Sequence, residues 1–307
     1  MSIVGLLQAA AVLTIILSLL TAIDIPHRNI ELLSHFRLQY FVISLLLTVL
    51  FAYMKTPLIA SALLLTTILN GVFIVPWYLP GGSEHGGATP LKLLHANVQS
   101  SNDDYQRLFD LVAAEDPDMI FLQEVTMSWA SSTKSLLQDY PHAYTQARDG
   151  NFGIAVFSKL PFDSIRHVDS PPFGYPTIIA TTTFEGQKIT FISSHPTIPV
   201  GREFNAARNL QLESLTDLVK DADSHVVLLG DLNASVWDAH YRRLVMSTGL
   251  SNARQGFGIL PTWPTLMPFA MIPIDHVLIS DGIGVFNMKT TGGIGSDHLP
   301  LIVTLSL

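Results

Sequence analysis

The chain has 307 residues, a formal net charge of −8, no cysteine, and 14% charged residues against 48% hydrophobic ones. Soluble domains usually carry roughly 25% charged residues, so this composition excludes a wholly soluble protein, and the high apolar content excludes a disordered one. The lack of cysteine excludes cysteine-ligated metal clusters, thiol nucleophiles and disulfides. The acidic balance, with Arg242-Arg243 as the only adjacent basic pair, argues against nonspecific binding of nucleic acid.

The first part of the chain is almost free of charge. Residues 1–80 contain only five charged side chains and three long apolar runs, at 3–23, 38–54 and 57–79. A helix of about 20 apolar residues spans the roughly 30 Å of a bilayer core. Trp77 and Tyr78 end the third run, where an interfacial aromatic belt is expected. The pattern predicts a membrane domain over residues 1–80 with three transmembrane helices.

Two alternatives to membrane helices fit the same runs. The first run resembles a secretory signal peptide in length, but it lacks a basic segment before it, and two more apolar runs follow. Helices buried in a soluble protein are the second alternative, which three successive uncharged runs make less favourable. The basic residues near the runs, Arg28, Arg37 and Lys55, are too few to fix the orientation of the chain.

A change in composition follows the apolar runs. Residues 81–90 are rich in Gly and Pro, which predicts a flexible linker, and residues 91–307 have the composition of one globular domain. Amphipathic stretches at 103–115 and 201–221 predict helices. Many strands with a few helices between them predict an α+β fold with two packed sheets. The predicted strands are 91–98, 119–124, 153–158, 177–183, 187–194, 225–230, 275–280 and 299–306.

Polar side chains recur at or just beyond the ends of these strands, where sites are usually built. Their carboxylate and amide oxygens suit a hard cation such as Mg²⁺, which stabilises charge on a phosphate. A histidine is suited to activating water as a base, because its ordinary pKa is about 6.5. The oxygen donors are Asn97, Glu124, Asp231, Asn233 and Asp297. For the base we select His298, with Asp275 to orient it, and His195 to donate toward a phosphate or leaving group.

Each of these residues has an ordinary structural explanation when it is taken alone. Gly230-Asp231-Leu232-Asn233 has the composition of a simple turn, and His195 is compatible with a loop histidine. Their joint order along the chain resembles the endonuclease/exonuclease/phosphatase (DNase I-like) superfamily over about residues 91–307. The motifs that carry the resemblance are Asn97, Gln123-Glu124, 150–161, Ser194-His195, 230–233, Ile274-Asp275-His276 and 296–300.

The resemblance implies a four-layered α/β sandwich and hydrolysis of phosphoesters that depends on a divalent metal, Mg²⁺ or Mn²⁺. It also implies roles for individual residues. Glu124 is the main metal ligand, supported by Asn97, Asp231 and Asp297. Asp231 and Asn233 bind phosphate, metal or the attacking water. His298 is the general base, oriented by Asp275 or Asp297, and His195 binds phosphate.

One position departs from the pattern of the superfamily. Some nuclease members carry an acid two residues after the first Asn, where this chain has Gln99, so a second metal site that uses that ligand is in doubt. Resemblance to three-span bacterial-type proteins predicts a multi-pass protein of the cell (inner) membrane, with its catalytic part on the extracytoplasmic side.

The membrane runs favour a phosphoester near the bilayer, such as a phospholipid or sphingolipid head group, over nucleic acid. The uncharged stretch 256–273, which contains Trp263 and Phe269, is expected either to pack on the domain or, with its tip, to contact lipid or frame an apolar substrate. A membrane-tethered nuclease and a catalytically inactive scaffold or binding module of the same fold are the alternative functions. No protein partner can be inferred from the sequence.

Overall fold

The protein is described here from a computed structural model that covers residues 2–23, 27–81 and 89–307. Most of the predicted linker, residues 81–90, lies outside the described residues. The helices are α1 (Ile3–Ala22), α2 (Arg28–Ser34), α3 (Arg37–Tyr53), α4 (Pro57–Ile74), α5 (Tyr105–Glu115), α6 (Met127–Ser132), α7 (Gly201–Lys220) and α8 (Ala239–Thr248). The strands are β1 (Pro90–Asn97), β2 (Met119–Gln123), β3 (His142–Gln146), β4 (Ile154–Ser158), β5 (Ser164–Ser170), β6 (Tyr175–Phe184), β7 (Gln187–Ser194), β8 (His225–Asp231), β9 (Ser251–Asn252), β10 (Asp275–Ile279), β11 (Gly284–Thr290) and β12 (Leu301–Ser306).

The strands form two six-stranded sheets of mixed direction. The first sheet has the order β11-β12-β1-β2-β4-β3, and the second has the order β5-β6-β7-β8-β10-β9. Each sheet contains a parallel pair near its centre, β1 with β2 and β7 with β8, and the other pairs are antiparallel. The two parallel pairs matter for function because their strands end together at one edge.

Three hydrophobic clusters define the layers of this domain. Side chains of both sheets meet in the first cluster, where Phe121 of β2 and Phe191 of β7 lie with ring centroids 5.6 Å apart. The outer face of the first sheet packs against α5 and Trp129 of α6. The outer face of the second sheet packs against α7 and α8. The order helix, sheet, sheet, helix is consistent with the predicted α/β sandwich.

The apolar runs form helices, but fewer of them meet the length of a membrane span than the sequence predicts. Ile3–Ala22 and Pro57–Tyr78 are long and apolar enough to cross a bilayer. The predicted span 38–54 corresponds to α3, which has 17 residues and follows α2 after a bend of 64°. A third span exists only if this bent pair counts as one. Within the described residues, two helices thus have the length and composition of membrane spans, and the third span remains a prediction.

The helices of the N-terminal part contact the sheet domain at one end. The backbone oxygen of Trp77 accepts hydrogen bonds from Gly256 N at 3.0 Å and Gly258 N at 2.9 Å. Trp237 Nε1 donates to Phe73 O at 3.2 Å, and Ile74 of α4 packs into the cluster behind the second sheet. The end of α4 is thereby joined to the loop that follows β9 and to the segment before α8.

Candidate active site

Strand directions bring the predicted polar residues to one edge of the sandwich. Because β1 and β2 are parallel, their last residues, Asn97 and Gln123, are register partners. In the second sheet β10 runs antiparallel to β8, so its first residue, Asp275, pairs with Asp231, the last residue of β8. The remaining candidates lie on the connections that leave the same edge. These connections hold Glu124, His195, Asn233, Asp297 and His298.

Two buried carboxylates from different sheets share one amide. Asn97 Nδ2 donates to Glu124 Oε1 at 3.0 Å and to Asp231 Oδ2 at 3.2 Å. The other Glu124 oxygen accepts a hydrogen bond from Ser100 N at 2.8 Å. The Asn97 oxygen accepts from Gln99 N at 3.0 Å, so ligation of a metal by that oxygen requires the amide to turn over. Asn97 in this orientation positions both carboxylates.

Glu124 is held as a carboxylate. Its backbone has φ of 62°, a left-handed conformation that is uncommon outside glycine and turns the side chain from the end of β2 toward the second sheet. Burial acts to raise its pKa, but His195, Ser100 N and Asn97 stabilise the charge and lower the pKa to about 2. The group is therefore ionised throughout the physiological range.

A chain of three side chains ends at His298. His298 Nδ1 lies 2.9 Å from Asp275 Oδ2, and the other oxygen of Asp275 lies 2.8 Å from His95 Nε2. The pKa of the Asp275 carboxyl is well below its ordinary value, because His298 and His95 outweigh the effect of its burial. An ionised carboxylate can only accept hydrogen bonds, so Nδ1 of His298 carries the proton toward Asp275. The other ring nitrogen of His298, Nε2, faces Asp231, whose Oδ2 lies 3.6 Å away.

The carboxylates around His298 control its protonation. Burial alone would lower the pKa of His298, but attraction by Asp275 and Asp231 raises it to about 10. At neutral pH the imidazole is therefore cationic as long as Asp275 and Asp231 are ionised, and burial raises the pKa of the Asp231 carboxyl above its ordinary value. Neutralisation of the Asp231 charge would remove one of these attractions and bring the pKa down toward the range of a base.

His195 lies between the carboxylates of Glu124 and Asp231. Its Nδ1 is 3.0 Å from the backbone oxygen of Asp231, and its Nε2 is 3.7 Å from Glu124 Oε1. Burial opposes the charge, yet the two carboxylates raise the pKa of this imidazole above its ordinary value. His195 is placed to balance the negative charge of Glu124 and Asp231 from behind.

The end of β8 and the turn after it are fixed by a close backbone approach and by side-chain hydrogen bonds. At Gly230, φ is 151°, and a Cβ there would lie 2.0 Å from the backbone oxygen of Ser194, so only glycine fits. Gln123 joins the two sheets at this point: its Oε1 accepts from Asp231 N at 2.7 Å and its Nε2 donates to Ser194 O at 2.6 Å. Asp231 Oδ1 in turn accepts from Asn233 N at 2.9 Å, which closes a turn after the strand.

Asp297 lies at the rim of the site rather than in the charged cluster. Its Oδ2 accepts a hydrogen bond from Trp263 Nε1 at 2.9 Å, and its backbone N donates to Gln99 Oε1 at 3.1 Å. Gln99 therefore contacts the backbone of the Ser-Asp-His motif, at the position where some relatives carry an acid. Trp263 therefore packs on the domain, which is one of the expectations for the segment 256–273, and it also orients Asp297.

These residues border a cavity of about 460 Å³. Charged and polar side chains line one end, and mostly apolar side chains line the rest. Asn97, His195 and Asp275 support the polar end from behind. The lining residues are Leu32, His35, Phe36, Glu124, Asn151, Ile198, Pro199, Val200, Asp231, Asn233, Trp263, Ile272, Ile274, Asp297 and His298.

The polar end fits a divalent cation. One ligand atom from each of Asp231, Asp275 and His298 lies within 4.8 Å of the other two, and Glu124 shares the Asn97 amide with Asp231. Two buried carboxylates so close together need positive charge to stay ionised, and carboxylate oxygens are the ligands that Mg²⁺ prefers. Since Asp275 is held by two histidines, Glu124 and Asp231 are the better ligands.

Sequence reasoning missed two contributors to the site. His95 stands two residues before Asn97 on β1, so both side chains lie on the same face of the strand. The sequence did contain a signal for His95, because it is a histidine within an apolar strand, close to the predicted ligand Asn97. The contribution of Leu32, His35 and Phe36 had no signal in the sequence, because these residues lie about 200 positions from the loops that they contact.

The sequence of residues 94–298 matches the Endonuclease/Exonuclease/phosphatase family. The chain belongs to this family. Its members are hydrolases that act on phosphoesters, and they typically depend on a divalent metal. The matched region includes all of the predicted site residues and excludes the α2 part of the cavity lining. No curated protein sequence matches the chain significantly.

Solved structures of the family have the same fold. The Danio rerio TDP2 structure, described as complexed with single-strand DNA product, has 21% identity and a TM-score of 0.62, covering 71% of this chain and 100% of that one. A family protein from Beutenbergia cavernae has 19% identity and a TM-score of 0.58, covering 71% and 72%. The human nocturnin catalytic domain, described with bound sulfate, has 17% identity and a TM-score of 0.58, covering 71% and 94%. At these identities the likeness shows the fold alone.

Proposed function

We propose that this protein is a membrane-anchored phosphoester hydrolase, a phosphodiesterase or a phosphatase, that depends on Mg²⁺ or Mn²⁺. One observation carries the proposal. Glu124, Asp231 and His298 line the polar end of a single cavity, and a helix of the apolar N-terminal part lines its other side. The charged end supplies the groups for phosphoester hydrolysis, and the position of the cavity favours a substrate close to a membrane.

Glu124 and Asp231 would hold the cation, with Asn97 as a supporting ligand if its amide turns over. A bound divalent cation would neutralise charge on the phosphate and stabilise the charge that develops during displacement. Asn97 and His195 keep the two carboxylates in place. Asn233, at the cavity wall, is placed to donate its side-chain amide toward a phosphate oxygen, as its Nδ2 now does toward Pro196 O at 2.9 Å.

His298 is the proposed general base. Asp275 accepts a hydrogen bond from Nδ1–H of His298. A cation held by Asp231 would weaken the attraction that keeps the imidazole protonated, and Nε2, once deprotonated, would accept a proton from water at the polar end of the cavity. In the reaction the water oxygen forms a bond to phosphorus, and the bond between phosphorus and the leaving oxygen breaks. The leaving oxygen keeps the electron pair of the broken bond, and the proton from water goes to His298. His95 acts through Asp275 as a positioning residue.

The preferred substrate class is a phosphoester at the bilayer, such as a phospholipid or sphingolipid head group. The segment 256–273 supports this preference in part. Its beginning packs on the domain, where Ile259 is buried, whereas its tip exposes Leu266 to 87% and Phe269 to 81% of their full areas. Gln39 at the start of α3 donates to the Met271 oxygen at 2.9 Å, so the tip lies beside a predicted membrane helix.

The decisive experiment is a substrate panel for the full chain reconstituted in lipid nanodiscs with Mg²⁺ or Mn²⁺. Phospholipids, sphingomyelin, inositol phosphates, single-stranded and double-stranded DNA, RNA and a chromogenic phosphodiester are compared. Hydrolysis of a lipid head group is the expected result. Preference for nucleic acid would establish the nuclease alternative, and inactivity on every substrate would establish the scaffold alternative.

Removal of metal tests the ligand assignment separately. We expect a chelator to abolish hydrolysis of the chromogenic diester, and Mg²⁺ or Mn²⁺ to restore it. The same cations should raise the melting temperature of the wild type, because a ligand that binds only the folded state stabilises it. Glu124→Gln should lose this thermal shift. A shift of equal size in the variant would contradict the assignment.

We further propose that the protein is a multi-pass protein of the cell (inner) membrane with its sheet domain on the extracytoplasmic side. Two helices apolar enough to span a membrane support the anchoring. Digestion of intact cells and spheroplasts by an added protease tests the side. Cleavage of the sheet domain in spheroplasts is expected, and protection until the membrane is lysed would reverse the orientation.

A further inference from the structure

The active-site cavity is lined by a charged and polar group of side chains and by an apolar group, and the apolar group comes from two parts of the chain. The polar end is built from strand ends of the two sheets, within residues 94–298. The apolar end consists of Leu32 and Phe36, from α2 and the turn that follows it, together with side chains of the sheet domain such as Ile198 and Ile274. A ligand that fills this cavity has to present charge to one end and apolar surface to the other.

The apolar wall is fixed in position, because α2 is bonded to the sheet domain. His35 Nδ1 lies 2.8 Å from Ser235 Oγ and 3.2 Å from the backbone N of Ser235, which follows the catalytic turn by two residues. Glu31, one turn earlier on the helix, lies 3.7 Å from Arg208 NH2 and 3.6 Å from His240 Nε2. Leu32 lies between Glu31 and His35 in the sequence, so the polar contacts of these two residues hold it in place at the cavity.

The mouth of the cavity is also apolar. Ile198 and Val200 line the cavity and yet expose 44% and 67% of their areas. They lie on the connection between His195 and α7, so one short segment carries a residue of the charged cluster and the apolar rim. Exposed apolar side chains at a cavity offer a surface on which an apolar group of a ligand can bury area, which stabilises its binding.

We propose that the apolar end is a subsite for the hydrocarbon chain of an amphiphilic phosphoester, and that Leu32 and Phe36 determine specificity for that chain. This inference rests on the proposed function and names its substrate class. The phosphate lies at Glu124, Asp231 and His298, and the first part of the attached chain lies between α2 and Ile198. At about 460 Å³, the cavity has the volume of sites that enclose a drug-sized ligand.

The test uses a chain-length series of alkyl p-nitrophenyl phosphates, from ethyl to decyl, at concentrations below micelle formation. The full chain in nanodiscs is assayed with Mg²⁺ for release of p-nitrophenolate. We expect kcat/KM to rise with chain length, by up to about fourfold for each methylene that the wall buries, and to level off once the cavity is full.

Substitutions on α2 separate a built subsite from simple partition of the ester into lipid. Leu32→Ser should reduce the decyl-to-ethyl ratio of kcat/KM about tenfold. Leu33→Ser, its neighbour on the same helix but outside the cavity lining, is the matched control and should keep the ratio of the wild type. Leu32→Trp keeps the wall apolar and should shift the optimum to shorter chains, which preserves the test if the Ser variant fails to fold.

The possible outcomes fall into distinct groups. Equal kcat/KM for ethyl and decyl esters overturns the subsite and leaves the hydrolase intact. An equal loss of the ratio in Leu32→Ser and Leu33→Ser, or an unchanged optimum in Leu32→Trp, overturns the assignment to α2. Inactivity of the wild type on every ester overturns the proposed function and the subsite together.

Discussion

The polar and apolar ends of the active-site cavity differ in how their side chains are held in place. At the polar end every charged group has a partner from another element: Asn97 joins Glu124 to Asp231, and Asp275 joins His95 to His298. At the apolar end the side chains of Leu32 and Ile198 only border a space. The polar end lies within the family region and the α2 wall lies outside it. Under the proposed function, the family region supplies the chemistry, and the apolar lining that selects the substrate is shared between that region and α2.

The largest expected effect is loss of chemistry at the polar end. His298→Asn should lower kcat by roughly 10²- to 10⁴-fold on soluble and lipid substrates alike, because it removes the proposed base. His142→Asn, on an edge strand of the first sheet, is the matched control and should leave kcat unchanged. Steady-state kinetics of both proteins make the comparison. If His298→Asn lost activity only on lipid, the assignment of the chemistry for all substrates to the polar end would be wrong.

A comparable effect on stability is expected at the junction between the two parts. Arg208 is fully buried and lies 3.0 Å from Asp238 Oδ2. Asp238→Asn removes the nearer of the two carboxylates beside that cation and leaves only Glu31 at 3.7 Å, so the loss of unfolding free energy should approach about 3–5 kcal/mol, the range typical of a broken buried pair. Asp223→Asn, which breaks the exposed pair with Lys188, should change the stability little. Denaturant unfolding of the two variants measures the difference.

The same substitution predicts a pH dependence. Burial acts to raise the pKa of Asp238, but Arg208 outweighs it and the pKa is lowered. A lowered pKa in the folded state means that the carboxylate contributes its full stability above its unfolded pKa of about 4. That contribution is lost as the pH falls through the folded value. The gap in stability between wild type and Asp238→Asn should therefore narrow below about pH 4, and a gap that widens there would contradict this assignment.

A smaller effect is expected from the residue behind Asp275. His95→Ala should lower kcat roughly 10- to 100-fold, the usual range for residues that orient a group at a metal site. His95→Gln keeps a donor toward Asp275 and should restore part of the activity. Without that donor, Asp275 attracts the His298 proton more strongly, so the rise of kcat with pH should move to higher pH in the Ala variant. A fall in kcat with no change in the pH profile would assign His95 a merely structural role.

The smallest effect is expected at the exposed tip beside the apolar end. Replacing Leu266 and Phe269 by Ser should lower the ratio of vesicle to soluble-ester activity by up to roughly tenfold, because only part of the 1.5–3 kcal/mol for burial of such a side chain is gained at a bilayer surface. Met246→Ser, on α8 and 82% exposed, is the control. Trp263 is unsuitable for this test because it bonds Asp297. An equal loss of activity on vesicles and on the soluble ester would contradict the proposed contact between the tip and lipid.

The sequence predicted the interior of the sheets and missed their borders. The eight predicted strands all exist, as β1, β2, β4, β6, β7, β8, β10 and β12. The four that were missed, β3, β5, β9 and β11, are the edges of the two sheets. An interior strand such as β4 is buried along its whole length, whereas the edge strand β11 is exposed at several positions. Only the first kind leaves a continuous apolar run in the sequence.

The candidate site shows a similar division. Motif residues such as Glu124 and Asp231 could be named in advance, because they follow apolar strands whose ends share an edge. Asp275 contacts both His95 and His298. These contacts depend on the register between strands that are distant in the sequence, and a local sequence pattern does not contain that register. The α2 wall depends on how the apolar helices pack on the domain, and hydropathy does not encode that packing.

The hydrogen bonds between His35 and Ser235 have a consequence for any soluble fragment. A sheet domain cut away from its helices would keep its carboxylates and imidazoles but lose the part of the cavity wall that α2 supplies. Under the proposed function, such a fragment would attack small diesters with little discrimination and handle its natural substrate poorly. The proposed tether would then shape what is cleaved as well as where cleavage takes place.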